Sequence, residues 1–173
     1  MERIALFIDK DNLYAKNNNI DLQIIKDYID EKGLLVFGKI YFRFSDRYDE
    51  SKRQDKFLYK LWSLNLEPIY CPVFESNEID GKSKSLADPM IIVDIMETLL
   101  KNNTITAIVL ITGDKDFIPI IRKIKEYGKK VILISTDKTA PALIRECTLS
   151  DKSTSDGVQT ISYDSLKQLD ENM

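Results

Sequence analysis

The apolar residues of this chain fall into two kinds of run. Ile4 to Ile8 (IALFI), Ile108 to Thr112 (IVLIT) and Lys130 to Ser135 (KVILIS) are short and almost without polar positions. That is the pattern of strands covered on both faces in a parallel sheet. Between them apolar residues recur at helical spacing. Leu22, Ile25 and Ile29 mark one helix over 21–32, with Gly33 as its stop. Phe57, Leu58, Leu61 and Trp62 mark the inward face of a second. Ile91, Ile92, Ile95, Met96 and Leu99 form one stripe of a long helix over 86–101. Phe117, Ile120, Ile121, Ile124 and Tyr127 form the next, with Gly128 at the C′ position. Residues 140–147 read as a last helix. Leu35 to Phe44 reads as a strand. Glu67 to Val73 is a shorter one, confined to an edge by Pro68 and Pro72. Residues 75–85 form a polar loop and 150–157 a connection, with a short extra strand expected at 158–161.

Strands alternating with helices predict an α/β fold, a three-layer sandwich around a mainly parallel sheet. The first and fourth strands are purely hydrophobic, which suits central positions and the strand order 3-2-1-4-5. In that order the carboxyl ends of the first and fourth strands open into one crevice at the point where the order reverses. The chain has 173 residues, which predicts a single domain, its core over about 1–150 and an extended segment over 151–173.

Composition narrows the chemistry. Apolar residues make up 43% and charged residues 31%, as in an ordinary soluble protein. No apolar run approaches the roughly 20 residues of a membrane span. The start, MERIALFID, reads as a strand and not a signal peptide. Cys71 and Cys147 have neither CxxC spacing nor partners, which fits a reducing cytoplasm. The chain has no histidine, so imidazole general bases, Ser-His-Asp triads and ordinary zinc sites are excluded. The net charge of −3 weighs against non-specific coating of nucleic acid, not against an enzyme that gathers acids around a metal.

Acids do gather at the predicted strand ends. Asp9 closes the first strand, and Asp114 and Asp116 follow the fourth after the break at Gly113. Asp116 stands where an N-cap belongs, with Pro119 tolerated in the first turn. One capping acid suffices, so the cap accounts for Asp116 and leaves Asp114 over. On the long helix Asp88 projects into the apolar stripe, where a lone carboxylate is costly unless paired or bound to a metal. It also stands beside Pro89 at a helix start, where an acid is favoured for capping alone. By spacing, Asp94 falls with Glu97 and Lys101 on a solvated face. A cluster of Asp9, Asp88, Asp114 and Asp116 needs a cation, and oxygen-only ligands select Mg²⁺ or Mn²⁺. Such an ion acidifies its waters and offsets charge on phosphate oxygens, which permits phosphodiester hydrolysis without histidine.

These residues resemble the NYN domain, the LabA-like branch of the PIN-like nuclease superfamily. The matching pieces are FIDKDNL (7–13), KSLADPMIIVD (84–94), LITGDKDFIPII (110–121) and GKKVILIS (128–135), in family order. The resemblance implies a PIN-like sheet, a divalent metal and endoribonuclease activity. It carries metal-site and catalytic roles onto Asp9, Asp88, Asp114 and Asp116, accessory roles onto Asn12 and Thr112, and also marks Asp94. The ending CTLSDKSTSDGVQTI (147–161) is longer than the family's, which leaves Asp151 and Asp156 without a matched role.

A substrate RNA, single-stranded by expectation, would lie along the same edge. Lys10, Arg43, Arg47 and Lys84 are the candidate phosphate contacts. Tyr14, Phe44 and Tyr48 are candidate stacking residues. Lys16, Lys52, Arg53, Lys56 and Lys82 add charge nearby, but Asp46, Asp49, Glu50 and Asp55 are interleaved as on a solvated face. Two other readings compete. A haloacid-dehalogenase-type phosphatase would use Asp9 as nucleophile, Asp11 as acid/base, Thr112 on phosphate and Lys129 or Lys130 as charge partner. A catalytically inactive module would use the crevice to bind a nucleotide or RNA. The sequence leaves the oligomeric state open, a homodimer included.

Overall fold

The computed structural model describes residues 1–10, 21–43, 51–74, 84–136, 139–149 and 159–170. Its centre is a six-stranded sheet with every pairing parallel. In chain order the elements begin with β1 (Glu2–Asp9), α1 (Leu22–Lys32), β2 (Gly33–Arg43), α2 (Ser51–Ser63) and β3 (Leu66–Cys71). A two-residue pair follows, β4 (Val73–Phe74) and β5 (Lys84–Ser85), joined antiparallel outside the main sheet. Then come α3 (Ala87–Lys101), β6 (Ala107–Ile111), α4 (Ile118–Glu126), β7 (Lys130–Ser135), α5 (Pro141–Leu149), β8 (Gln159–Ser162) and α6 (Tyr163–Asp170). Across the sheet the order is β3-β2-β1-β6-β7-β8. Numbered by main-sheet strands alone, that is the expected 3-2-1-4-5, with the short last strand as a sixth member.

Two apolar cores cover the two faces. Ile4, Leu6 and Ile8 of β1 pack with Ile25 and Ile29 of α1, Leu61 of α2 and Leu166 of α6. Ala5 and Phe7 of the same strand pack with Ile91 and Ile95 of α3, Ile121 of α4 and Cys147 of α5. This alternation is the period of two expected of an extended chain. The unbroken apolar runs were legible because both faces of β1, β6 and β7 are covered.

Register contains one irregularity with consequences. Ile4 pairs with Leu35 but Ala5 pairs with Phe37, so Val36 is an extra residue in β2. A bulge of one residue flips which side chains face which layer. Leu35 lies in the α1/α2 core, whereas Phe37 packs against the α3/α4 core and Tyr41 lies within it.

Three helix expectations change. Trp62 is 69% exposed, and Leu61 and Leu64 fill the core in its place. It lines an open groove of about 390 Å³ with Phe37, Asn65, Leu66 and Glu67. Asp116 does not cap α4, which starts from Phe117 without a side-chain bond. Asp114 caps the 3-10 turn ahead of it: its carboxylate accepts from the Asp116 amide at 2.9 Å, opening the turn over Lys115–Phe117. And α6, unread in the sequence, buries Tyr163 and Leu166. At Gly128 the backbone has φ +67, as a C′ glycine requires.

Candidate active site

The carboxyl edge of the sheet is set by β1 and β6. Ile8 pairs with Ile111, so Asp9 and Thr112 leave their strands side by side. By alternation both face the α3/α4 layer. Asp9 is 1% exposed and Thr112 is fully buried. The Thr112 hydroxyl donates to Asp9 Oδ2 across 3.5 Å and accepts from the Asp114 amide at 3.2 Å. Asp114 in turn accepts from the Asp116 amide. One hydroxyl thus links the end of β1 to the loop after β6. The loop after β7 joins the same edge, where the Ala140 amide donates to the Gly113 carbonyl at 2.8 Å.

Asp88 arrives from the third segment. The Leu86 amide donates to the Pro72 carbonyl just beyond β3, and the Ser85 hydroxyl accepts from the Ala87 amide. Helix α3 therefore begins at the carboxyl edge and runs back along the sheet. Asp88 sits half-buried in its first turn, where the helix dipole favours an anion. Leu86 caps the helix without a side-chain bond, so Asp88 is inside the helix and not its cap.

Asp94 differs from its sequence reading. Glu97 and Lys101 do pair on the surface, but Asp94 is half-buried and turned to the sheet. Its Oδ2 accepts from Tyr41 Oη at 2.7 Å and from Lys39 Nζ at 2.8 Å. Tyr41 is fully buried, and burial first, then the bond to Asp94, pushes its phenol far above its ordinary value. It is therefore a permanent donor. Helical periodicity missed this contact because the sheet wraps further round α3 than the apolar stripe does.

Lys10 points to the other face. Its ammonium stands 4.3 Å from the Phe42 ring centre and 5.6 Å from that of Phe57. Asp9 and Lys10 thus flank the sheet edge on opposite sides. Arg43 ends β2 and Lys84 opens β5. Asp11, Asn12, Tyr14, Lys16, Phe44, Arg47, Tyr48, Lys82, Asp151 and Asp156 lie outside the described residues.

Residues 3–151 match the NYN domain. The chain belongs to the NYN domain family. This NYN chain is also 35% identical over 135 residues to an uncharacterized protein of Methanocaldococcus jannaschii, covering 78% of the chain and 48% of that relative. It spans about half the length of the curated relative it matches. Membership places it in the PIN-like nuclease superfamily, whose members are typically ribonucleases that use divalent metal ions.

The donors at this edge can be tested against such an ion. Among the described residues, no three acidic or cysteine side chains are grouped so as to hold one ion directly. Asp9, Asp88, Asp114 and Asp116 are therefore not a closed four-carboxylate cage. Mg²⁺ does not need one: it takes one or two carboxylates and completes its shell with waters and substrate phosphate. The donors offered by Asp9, Thr112 and Asp114 are all oxygen, which suits a hard dication. Among the described residues no helix is long and apolar enough to cross a membrane.

Proposed function

We propose that this NYN domain is a metal-dependent endoribonuclease that hydrolyses phosphodiester bonds of single-stranded RNA at the carboxyl edge of its sheet. The observation that carries the proposal is the linkage of Asp9, Thr112 and Asp114, from two neighbouring strands, at the point where the strand order reverses. Asp9 and Asp114 would bind Mg²⁺ or Mn²⁺ directly, and Asp88 and Asp116 through its waters. The ion supplies charge neutralisation at phosphate oxygens and a more acidic water. The chain's own residues do the rest. Thr112 holds the Asp9 carboxylate by its hydroxyl while restraining the loop that carries Asp114. The buried floor under Asp9 excludes bulk water from one side of the site and so strengthens the attraction between carboxylates and cation. Lys10, Arg43, Arg47 and Lys84 would contact phosphates along the approach, which positions a strand without reading its bases.

The phosphatase alternative loses its charge partner. Lys130 Nζ bonds Glu2 Oε1 at 2.6 Å, and Lys129 Nζ reaches the Asn103 carbonyl at 3.3 Å. Glu2 and Lys130 open their strands, so both lysines serve the amino edge, opposite Asp9.

The test incubates purified protein with end-labelled RNA and, separately, with a generic phosphomonoester, in Mn²⁺ or EDTA. Wild type, Asp11→Asn and Asp114→Asn are compared. Mn²⁺-dependent RNA cleavage that Asp114→Asn abolishes is the expected result. Phosphomonoester turnover lost in Asp11→Asn would establish the phosphatase, and binding of RNA without either activity would establish an inactive module.

A further inference from the structure

We propose that Lys39, Tyr41 and Asp94 are positioning residues: a partly buried clamp that fixes α3 against β2 and so fixes where Asp88 stands relative to Asp9. The inference rests on the nuclease reading above and gives Asp94, which the resemblance marks, a supporting role shared with Lys39 and Tyr41. Two observations meet in it. The first is the pair of bonds onto a single oxygen, Asp94 Oδ2, one from the Tyr41 phenol and one from the Lys39 ammonium. The second is register: Tyr41 is the lateral partner of Asp9 in the β1–β2 ladder. The clamp therefore ties the immediate neighbour of one candidate ligand to the helix that carries another.

The geometry gives the clamp leverage. Asp88 and Asp94 lie six residues apart on one continuous helix, about 9 Å along its axis. A helix is stiff over that length, so a shift at Asp94 is transmitted to Asp88. Apolar packing of Ile91 and Ile95 holds α3 to the sheet but is tolerant of sliding and rotation. Two directed bonds to one carboxylate oxygen are not. Both donors face α3 because the extra residue Val36 has flipped the alternation of β2 ahead of them. Packing alone would be served by an apolar side chain at each of these positions. A charged pair with side-chain exposures of 24% and 22% costs desolvation, which makes orientation the better account of why it is there.

The experiment compares wild type with Tyr41→Phe, which deletes one hydroxyl, and Asp94→Asn, which keeps shape and removes charge. Lys39→Met is the third variant. Two readouts are taken. Amide hydrogen exchange along α3 is measured in EDTA, where no metal contributes. Mn²⁺ affinity is then measured by calorimetric titration without RNA. The expected result is faster exchange in the first turns of α3 and Mn²⁺ binding weakened by roughly tenfold, the scale seen when residues supporting metal ligands are removed. Wild-type affinity in all three variants overturns the clamp as a positioning device while leaving the nuclease reading standing. A wild-type protein that binds no Mn²⁺ overturns the metal reading and the clamp with it. Unchanged exchange in Tyr41→Phe and Asp94→Asn overturns the mechanical coupling.

Discussion

Asp114 carries two jobs that substitution can separate. It caps the 3-10 turn through the Asp116 amide, and in the proposed reaction it is a metal ligand. Asp114→Ala removes both, so urea titration should show a loss of about 1 kcal/mol, the usual cost of a missing cap. Asp114→Asn keeps an oxygen for the amide and removes the charge. It should unfold at the wild-type urea midpoint in EDTA yet lose RNA cleavage. Destabilisation of the Asn variant equal to that of the Ala variant would mean that the carboxylate charge matters to folding and not only to the ion. At this scale the sequence was partly legible. Asp9, Thr112 and Asp114 stood out because they end two buried strands. Which of Asp114 and Asp116 caps the turn was not legible, because GDKDF offers two acids two residues apart and only backbone geometry chooses. Asp94 was misread for a related reason: spacing reports the angle of a side chain around its helix, not how far the sheet reaches to meet it.

Elements here are joined by polar pairs as well as by cores. Asp21, the N-cap of α1, accepts from the Gln23 amide and from Lys60 of α2. Glu146 of α5 takes both Arg122 bonds from α4, and Glu2 of β1 accepts from Lys130 of β7 and from Thr106. Each carboxyl is held below its ordinary value, chiefly by the Gln23 amide, by Arg122 and by Lys130 respectively. A carboxylate with a lowered folded pKa stabilises the native state above its unfolded value and stops doing so as pH falls through the folded one. Unperturbed values are 3.8 for Asp21 and 4.5 for Glu2 and Glu146. The melting temperature should therefore be level above about pH 5 and fall as pH drops below those values. In Glu146→Gln the fall should be shallower, since one of the three contributions is gone; a melting curve that keeps the wild-type slope would show that this surface pair adds nothing. Helix boundaries were legible from stops such as Gly33 and Gly128. Trp62 was not, because its helical angle is apolar by sequence, while the neighbouring Leu61 and Leu64 already fill the space beneath α2.

For the whole molecule, the sharpest expectation is that Mn²⁺ or Mg²⁺ stabilises the folded chain. An ion bound only by the native state should add about 2.7 kcal/mol at a concentration one hundred times its dissociation constant. Differential scanning calorimetry across a Mn²⁺ series should show the transition rising with concentration in wild type and staying flat in Asp9→Asn. A wild-type transition indifferent to the ion would leave the carboxyl edge without its cofactor. The sequence by itself determined the layer architecture, the central strands and the sheet order, because runs without polar positions have nowhere to go but between two layers of helices. It also pointed to oxygen as the donor for any ion here, since the chain has no imidazole and only two cysteines, far apart in the sequence. Tertiary structure alone decided how those parts face one another. The extra residue at Val36 turns Lys39 and Tyr41 towards α3, and a one-residue offset in a ladder leaves no trace in hydrophobic spacing. The joining of Asp9 to Thr112 spans 103 positions of chain, and only the pairing of β1 with β6 closes that distance.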